Sequence, residues 1–272
     1  MAITSFIPKL WEARLLRHLD NALIARNFYN QDYEGHIRDQ GDTVRINMIS
    51  SPEIFDYNRN QDMPAPENLA TTPQELVVDQ AKAFSFQIDD IDRVQAKAEL
   101  VDAAMERAAF ELSSTEDGWL FGLLADGTPA ANRITIQGAV SPGAMYDILV
   151  QMRTIMARNN VPSQGRAAAL PPEAIALILR DERFVQTGSN QAEGRLATGF
   201  VGRAAGFDIF ESNTTPGGNT VVAGNRIGAT FASQIVQTEA YRMERRFSDG
   251  LKGLSVYGAR VTRPQVFATA RL

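Results

Sequence analysis

Apolar side chains recur at alternating spacings of three and four from Val94 through Ala98, Val101, Met105, Ala108 and Leu112, and Trp119 and Leu123 continue the series. That period predicts one helix from about Asp92 to Ala125. It would be roughly 50 Å long at 1.5 Å per residue, about three times the usual length in a globular protein. Asp92 with Gln95 resembles a capping pair, Asp89 and Asp90 lie where a helix dipole favours negative charge, and Gly127 and Pro129 mark the end. The flank opposite the stripe carries Glu99, Glu106, Arg107, Ser114 and Asp117, but helical geometry puts Phe110 and Phe121 there too. Two phenylalanines away from the seam predict either a partner surface or a second layer of the same core.

Before this helix, residues 8–26 read as a short amphipathic helix, with Pro8 in the first turn and Trp11, Leu15, Leu19 and Leu23 spaced by four. From Gly41 the period becomes two. Val44, Ile46 and Met48 alternate with Thr43, Arg45 and Asn47, a strand with one buried face. A second strand is predicted at Leu76 to Ile88, where Leu76, Val78, Phe84, Phe86 and Ile88 share a face that Gln80 and Lys82 interrupt. The connection Ser51 to Pro73, with Pro52, Pro64, Pro66 and Pro73, is far longer than a hairpin turn needs. A two-stranded arm of this kind is marginal alone in water and should lie against a neighbour.

Beyond the long helix the pattern is mixed: a strand at Arg133 to Ile136, a helix at Pro142 to Arg158, a small buried strand at Ala167 to Leu170, and a helix opened by Pro171-Pro172 and running through Leu179. Thr187 to Thr198 reads as a loop. Phe207 to Glu211 and Thr220 to Ala223 read as strands joined across Pro216-Gly217-Gly218-Asn219, and GFVGRAAGF at 199–207 reads as turns. Three closing strands are predicted at Ile235 to Met243, Gly253 to Val261 and Val266 to Ala270, with breaks at Ser248-Asp249-Gly250 and Arg263-Pro264. Together these elements make an α+β fold.

Composition narrows the chemistry. With 44% hydrophobic and 22% charged residues in 272, the chain is globular and large enough for two cores. It has no apolar run of membrane-spanning length, and Lys9, Glu12, Arg14, Arg17 and Asp20 rule out an apolar signal segment in the first twenty residues. Cysteine is absent, which removes disulfides and thiolate chemistry. A net charge of −5 means that the protein as a whole would be repelled by nucleic acid, so any contact with it must be local or one of enclosure. Only Lys9, Lys82, Lys97 and Lys252 among the 27 basic residues are lysines, a bias that suits interfacial carboxylate pairing or a GC-rich genome.

Catalytic signatures are missing: no nucleophile elbow, no phosphate loop, no His-Glu-x-x-His and no Cys-x-x-Cys. Asp89, Asp90 and Asp92 have the composition of a divalent-cation site, and so of a metal-dependent hydrolase, but acidic residues at a helix start are what the dipole favours. Gly199, Gly202 and Gly206 lack dinucleotide spacing. His18 and His36 have no second histidine or cysteine at i+3 or i+4. Arg245-Arg246 is the densest basic site, and it is small enough for a salt-bridging interface rather than a nucleic-acid groove. No cofactor, metal or catalytic residue is expected.

The blocks FIPKLWEARLLRHLDNALIARNFYNQDYEGHIRDQGDTVRIN (6–47), LVVDQAKAFSFQIDDIDRVQA (76–96), VPSQGRAAALPPEA, GFVGRAAGFDIFESN and FASQIVQTEAYRMERRFSDGLKGLSVYGARVTRP cover most of the chain. In that order they resemble the tailed-phage major capsid proteins of the Hong Kong 97 type, in the branch of the phage P-twenty-two coat protein. The resemblance implies a non-enzymatic structural protein, assembled in the host cytoplasm. Copies of it would close as hexamers and pentamers into the icosahedral virion shell around double-stranded DNA. It also implies a portal, leaves room for a decoration protein, and divides the chain into an arm (1–38), an extended loop (39–88), a spine (89–131), an axial domain (132–235) and peripheral strands (236–272).

Relatives with a cleaved N-terminal scaffolding segment have no counterpart here, so a separate scaffolding protein is expected. No asparagine or activating carboxylate is identifiable for Lys82, so no covalent ladder is expected. The candidate interface residues are Trp11 of the arm, Arg45, Phe55, Tyr57, Arg59 and Lys82 of the extended loop, Phe110 and Phe121 of the helix, and Arg245 and Arg246. The nearest competing reading is an encapsulin-like compartment shell.

Overall fold

A computed structural model of the protein describes residues 24–32, 43–49, 54–56, 59, 62, 71–89, 99–136, 138, 140–181, 200–243 and 248–272. Its strands are β1 (Thr43–Ile49), β2 (Thr71–Val77), β3 (Gln80–Asp89), β4 (Arg133–Thr135), β5 (Arg166–Leu170), β6 (Phe200–Ala204), β7 (Phe207–Glu211), β8 (Thr220–Asn225), β9 (Ala229–Arg242), β10 (Ser248–Val261) and β11 (Ala268–Arg271). Its helices are α1 (Glu99–Gly127), α2 (Pro142–Arg158) and α3 (Pro172–Ile178). Among the described residues the strands form a two-stranded ribbon β1-β2, a sheet ordered β3-β10-β9, and a six-stranded sheet ordered β4-β11-β8-β5-β7-β6.

The long helix forms, and its described part reaches Gly127, where the expected stop lies. Its buried face is turned from the expected stripe. Met105, Ala109, Ser113, Glu116, Asp117, Leu120, Phe121 and Leu124 are buried, whereas Ala108, Leu112, Trp119 and Leu123 are half-buried. Phe121, expected on the outer flank, is fully buried with its ring edge-on to Phe28 at 5.7 Å, so it belongs to the core and cannot line an interface between folded subunits. The apolar pattern misplaces the seam because three of the positions facing inward are polar.

The segment expected as one strand, Leu76 to Ile88, is two strands in different sheets. β2 ends at Val77, the chain turns through Val78 and Asp79, and β3 then pairs with β10 from Gln80 to Asp89. Lys82 therefore lies in a body sheet and not in the ribbon. It shares a pleat side with Phe84, which packs on Met105, Ala109 and Leu251, so it is half-buried on the side that faces α1. Gln80 and Lys82 interrupt the apolar series where the strand changes sheet.

The main core lies between the six-stranded sheet, α2, α3, the end of α1 and residues 25–29. β5 is buried at every position because β8 and β7 flank it and side chains cover both faces, which its Ala167-Ala168-Ala169 run accommodates. α2 starts as its sequence specifies, with the Ser141 hydroxyl accepting the Ala144 N–H at 3.3 Å and Pro142 in the first turn.

Three further expectations change. GFVGRAAGF is not all turn: β6 occupies Phe200–Ala204 and pairs with β7 across Ala205 and Gly206, whose φ values of 49° and 85° suit a two-residue hairpin. Ser248 to Gly250 opens β10 instead of breaking the chain. β11, expected with the peripheral strands, pairs with β4 and β8 in the six-stranded sheet. The helix predicted from residue 8 lies outside the described residues as far as residue 23, as does the loop Thr187 to Thr198.

Candidate assembly surfaces

Three elements, residues 24–30, α1 and the β9-β10 pair, meet at a buried polar junction that holds residues 24–30 on the body. Residues Ala25–Phe28 form a single 3-10 turn with no side-chain cap of their own. The turn's start is satisfied from α1 instead, where the Asp117 carboxylate accepts the backbone N–H groups of Ile24 and Ala25, each at 3.0 Å. The Tyr29 hydroxyl donates to the Leu120 carbonyl at 2.8 Å, and Asn30 bridges Thr230 of β9. Arg26 donates to the Ser233 hydroxyl at 3.1 Å, stands 3.9 Å from the Glu116 carboxylate and lies over the Phe231 ring.

The electrostatics follow from this enclosure. Burial pushes the Asp117 carboxyl up to about 6, although the Ile24 and Ala25 N–H groups and Arg26 pull the other way. Burial, and then the nearby Asp117 charge, raises Tyr29 well above the usual phenol range. Tyr257, edge-on to Trp119, is pushed up to about 12 by burial and then by Glu116 and Asp79. Both phenols are therefore neutral near pH 7. Residues 24–30 fall within the expected arm (1–38), and they contribute Ala25, Phe28 and Tyr29 to the core.

The candidate interface residues do not converge on one place. Arg45 on β1 is exposed and faces Glu75 on β2 at 3.6 Å, a pair of solvated side chains that contributes little to stability. Phe55 and Arg59 are exposed in the stretch between β1 and β2. Next to Phe55, Ile54 is 94% exposed, the largest exposure of any large apolar side chain among the described residues. Phe110 is 61% exposed on the flank of α1, among the exposed Glu106, Arg107 and Glu111. Trp11, Tyr57, Arg245 and Arg246 lie outside the described residues.

Sequence reasoning missed the Asp117 junction and Ile54. The junction carries no local signal, because its partners are more than ninety positions apart. Ile54 had one: an apolar pair, Ile54-Phe55, in a long proline-containing connection. Among the described residues no three His, Cys, Asp or Glu side chains converge to hold a metal ion, and Asp90, Asp92, His18 and His36 lie outside them. No helix among the described residues is long and apolar enough to cross a membrane.

A two-stranded ribbon, a long helix packed on a sheet and apolar side chains left in solvent describe a subunit built to be covered by others. Known structures agree. The fold is similar to a structure from Mycobacterium phage Che8, with 28% identity, 91% of this chain and 90% of that chain covered, and a TM-score of 0.69. It is similar to the capsid protein of Cyanophage P-SCSP1u at 16% identity, with 86% and 84% covered and a TM-score of 0.66. The encapsulin of Synechococcus elongatus shares the fold more distantly, at 13% identity, with 86% and 83% covered and a TM-score of 0.55. No curated protein matches the chain. The family model described as phage capsid protein matches residues 72–270, most of the chain, and the protein therefore belongs to the phage capsid protein family.

Proposed function

We propose that this major capsid protein closes as hexamers and pentamers into an icosahedral shell around double-stranded DNA, with a separate scaffolding protein and a portal, in the cytoplasm of the host. The observation that carries the reading is the family match over residues 72–270, joined to the placement of Ile54, Phe55 and Phe110 in solvent. Burying apolar side chains of this size stabilises a contact by roughly 1.5 to 3 kcal/mol each, so exposure in the single subunit is explained by coverage in the shell. The acidic chain encloses DNA without binding its sequence.

Within the subunit, residues 1–38 serve as the arm, held to the body at residues 24–30. The β1-β2 ribbon with its connection reaches a neighbour, α1 with β3, β9 and β10 forms the spine and its sheet, and the six-stranded sheet with α2 and α3 forms the axial domain. Arg45, Phe55 and Arg59 on the ribbon side, and Phe110 on the helix, line subunit contacts.

Electron microscopy of the protein expressed alone, and with its neighbouring open reading frames, tests this. Regular shells are expected in at least one preparation. Small discrete particles in both would overturn the reading, and shells loaded with an enzyme cargo would favour the compartment alternative.

A further inference from the structure

The β1-β2 ribbon is rooted on the face of the β9-β10 pair turned away from α1. Along β10, Leu251 packs on Met105 and Ala109 of α1. Val256, Gly258 and Arg260 are even-numbered positions beyond the register shift at Leu254/Ser255, and they lie on the other face from Ser255 and Tyr257. On that face Ile46 and Leu76 of the ribbon, with Val78, pack against Ala232 and Val256 in a small separate cluster. The Arg260 guanidinium donates to the Glu75 carbonyl of β2 at 3.0 Å. A Cβ at Gly258 would stand 2.3 Å from the Val77 carbonyl oxygen and 2.8 Å from the Val78 Cα, which are backbone atoms that no rotamer change can move aside. Gly258 is therefore the position at which the chain, leaving β2 for β3, lies directly on β10.

A two-stranded ribbon has little stability of its own, so its direction is set by what grips its root. We infer that Gly258 and Arg260 are positioning residues: the close crossing at Gly258 and the Arg260 bond to Glu75 set the angle at which the ribbon leaves the body, and through it the curvature at which copies of this chain close. The inference rests on the shell reading, since an angle matters for curvature only if the ribbon carries a contact. Val77, 44% exposed beside the crossing, is displaced with the root when that angle changes.

The test separates the angle from the shell. The chain has no cysteine, so Asp56→Cys on the connection and Asp126→Cys at the end of α1, both exposed sites, take a pair of spin labels without background. Pulsed dipolar spectroscopy on the full-length unassembled subunit reads the label distance. Gly258→Ala should shift its mode, Arg260→Ala should shift or broaden it, and Arg260→Lys should restore the wild-type distribution at least in part. Gly122→Ala, on α1 with nothing within 4 Å of the added Cβ, should leave it unchanged. Cryo-electron microscopy of assembled particles should then show a changed diameter distribution for Gly258→Ala or Arg260→Ala.

An unchanged distance in both variants overturns the inference. A shifted distance with wild-type diameters overturns its curvature half. Arg260→Ala decides the matter if Gly258→Ala does not fold. A wild type that forms no shells defeats the shell reading, while the label distance still decides whether these residues set the angle.

Discussion

At neutral pH the Asp117 carboxyl is ionised although only 4% of the residue is exposed, and two backbone N–H groups and Arg26 do not fully offset the loss of water. Its folded value of about 6 lies above the ordinary 3.8, so the folded state holds the proton more tightly than the unfolded chain. The sign follows from linkage. The stabilisation is fully present below about pH 3.8 and is lost as pH rises through about 6. A difference of roughly two units corresponds to a total of about 3 kcal/mol, and about 1 kcal/mol of it falls between pH 7.5 and pH 5.

Other groups titrate in the same window, so Asp117→Asn supplies the reference. The amide cannot ionise, and its oxygen accepts one of the two N–H groups while its NH2 faces the other. Glu116, Arg26, Tyr29 and Tyr257 remain around it in both proteins. Urea unfolding of the unassembled subunit, followed by tryptophan fluorescence to which Trp119 beside Tyr257 contributes, reads both stabilities. The wild type should gain about 1 kcal/mol on Asp117→Asn when pH falls from 7.5 to 5. A difference between the two proteins that does not change with pH would refute the reasoning. So would a change of opposite sign, which would mean that the N–H groups and Arg26 outweigh burial.

Phe28→Ala removes a fully buried ring that meets Phe121 edge-on, and should destabilise the subunit by about 3 to 5 kcal/mol in the same urea assay. Gly224→Ala puts a Cβ 2.3 Å from Phe267 Cδ1, a ring that is itself fully buried, so a loss of about 1 to 3 kcal/mol is expected from overpacking in thermal unfolding. Phe110→Ser should leave subunit stability within about 0.5 kcal/mol of the wild type, because the ring is mostly solvated, yet lower the yield of closed particles in sedimentation. Equal particle yields would remove Phe110 from the contact surface.

Local patterns carried much of the fold. The period of α1, the Ser141-Pro142 start of α2, the buried alanines of β5 and the alternation in β9 and β10 all report the environment of neighbouring residues, and each of these elements formed, although β9 and β10 begin at Ala229 and Ser248, several residues before the expected Ile235 and Gly253. The failures share one cause. The inward face of α1 includes Ser113, Glu116 and Asp117, and what makes burial tolerable for the last two is Arg26 and the N–H groups of Ile24 and Ala25 from a distant segment. β6 was hidden by its glycine, and the joint at Val78-Asp79 by apolar residues on both sides of it. The exposed candidates Phe55 and Phe110 were visible as apolar residues out of place, whereas Phe121 looked the same in sequence and proved to be core.

Residues 26–30 and the β1-β2 ribbon share a mount. Arg26 and Asn30 tie the N-terminal segment to Ser233 and Thr230 of β9, and the ribbon root rests on Ala232 of β9 and on Val256, Gly258 and Arg260 of β10. Ala232 and Gly258 are direct partners in the β9-β10 register, as are Ser233 and Tyr257 one step along, so the two attachments lie on adjacent rungs of one ladder. Adjacent residues of a strand point to opposite faces, so Ser233, which Arg26 reaches, and Ala232, which the ribbon root packs on, lie on the two sides of this ladder, while Asn30 bonds the β9 backbone at Ala229 and Phe231. Neither attachment can shift by much without moving backbone that the other packs on, since close-packed interiors transmit displacement instead of absorbing it. The β9-β10 pair is thus the part of the subunit on which residues 26–30 and the ribbon root are both held.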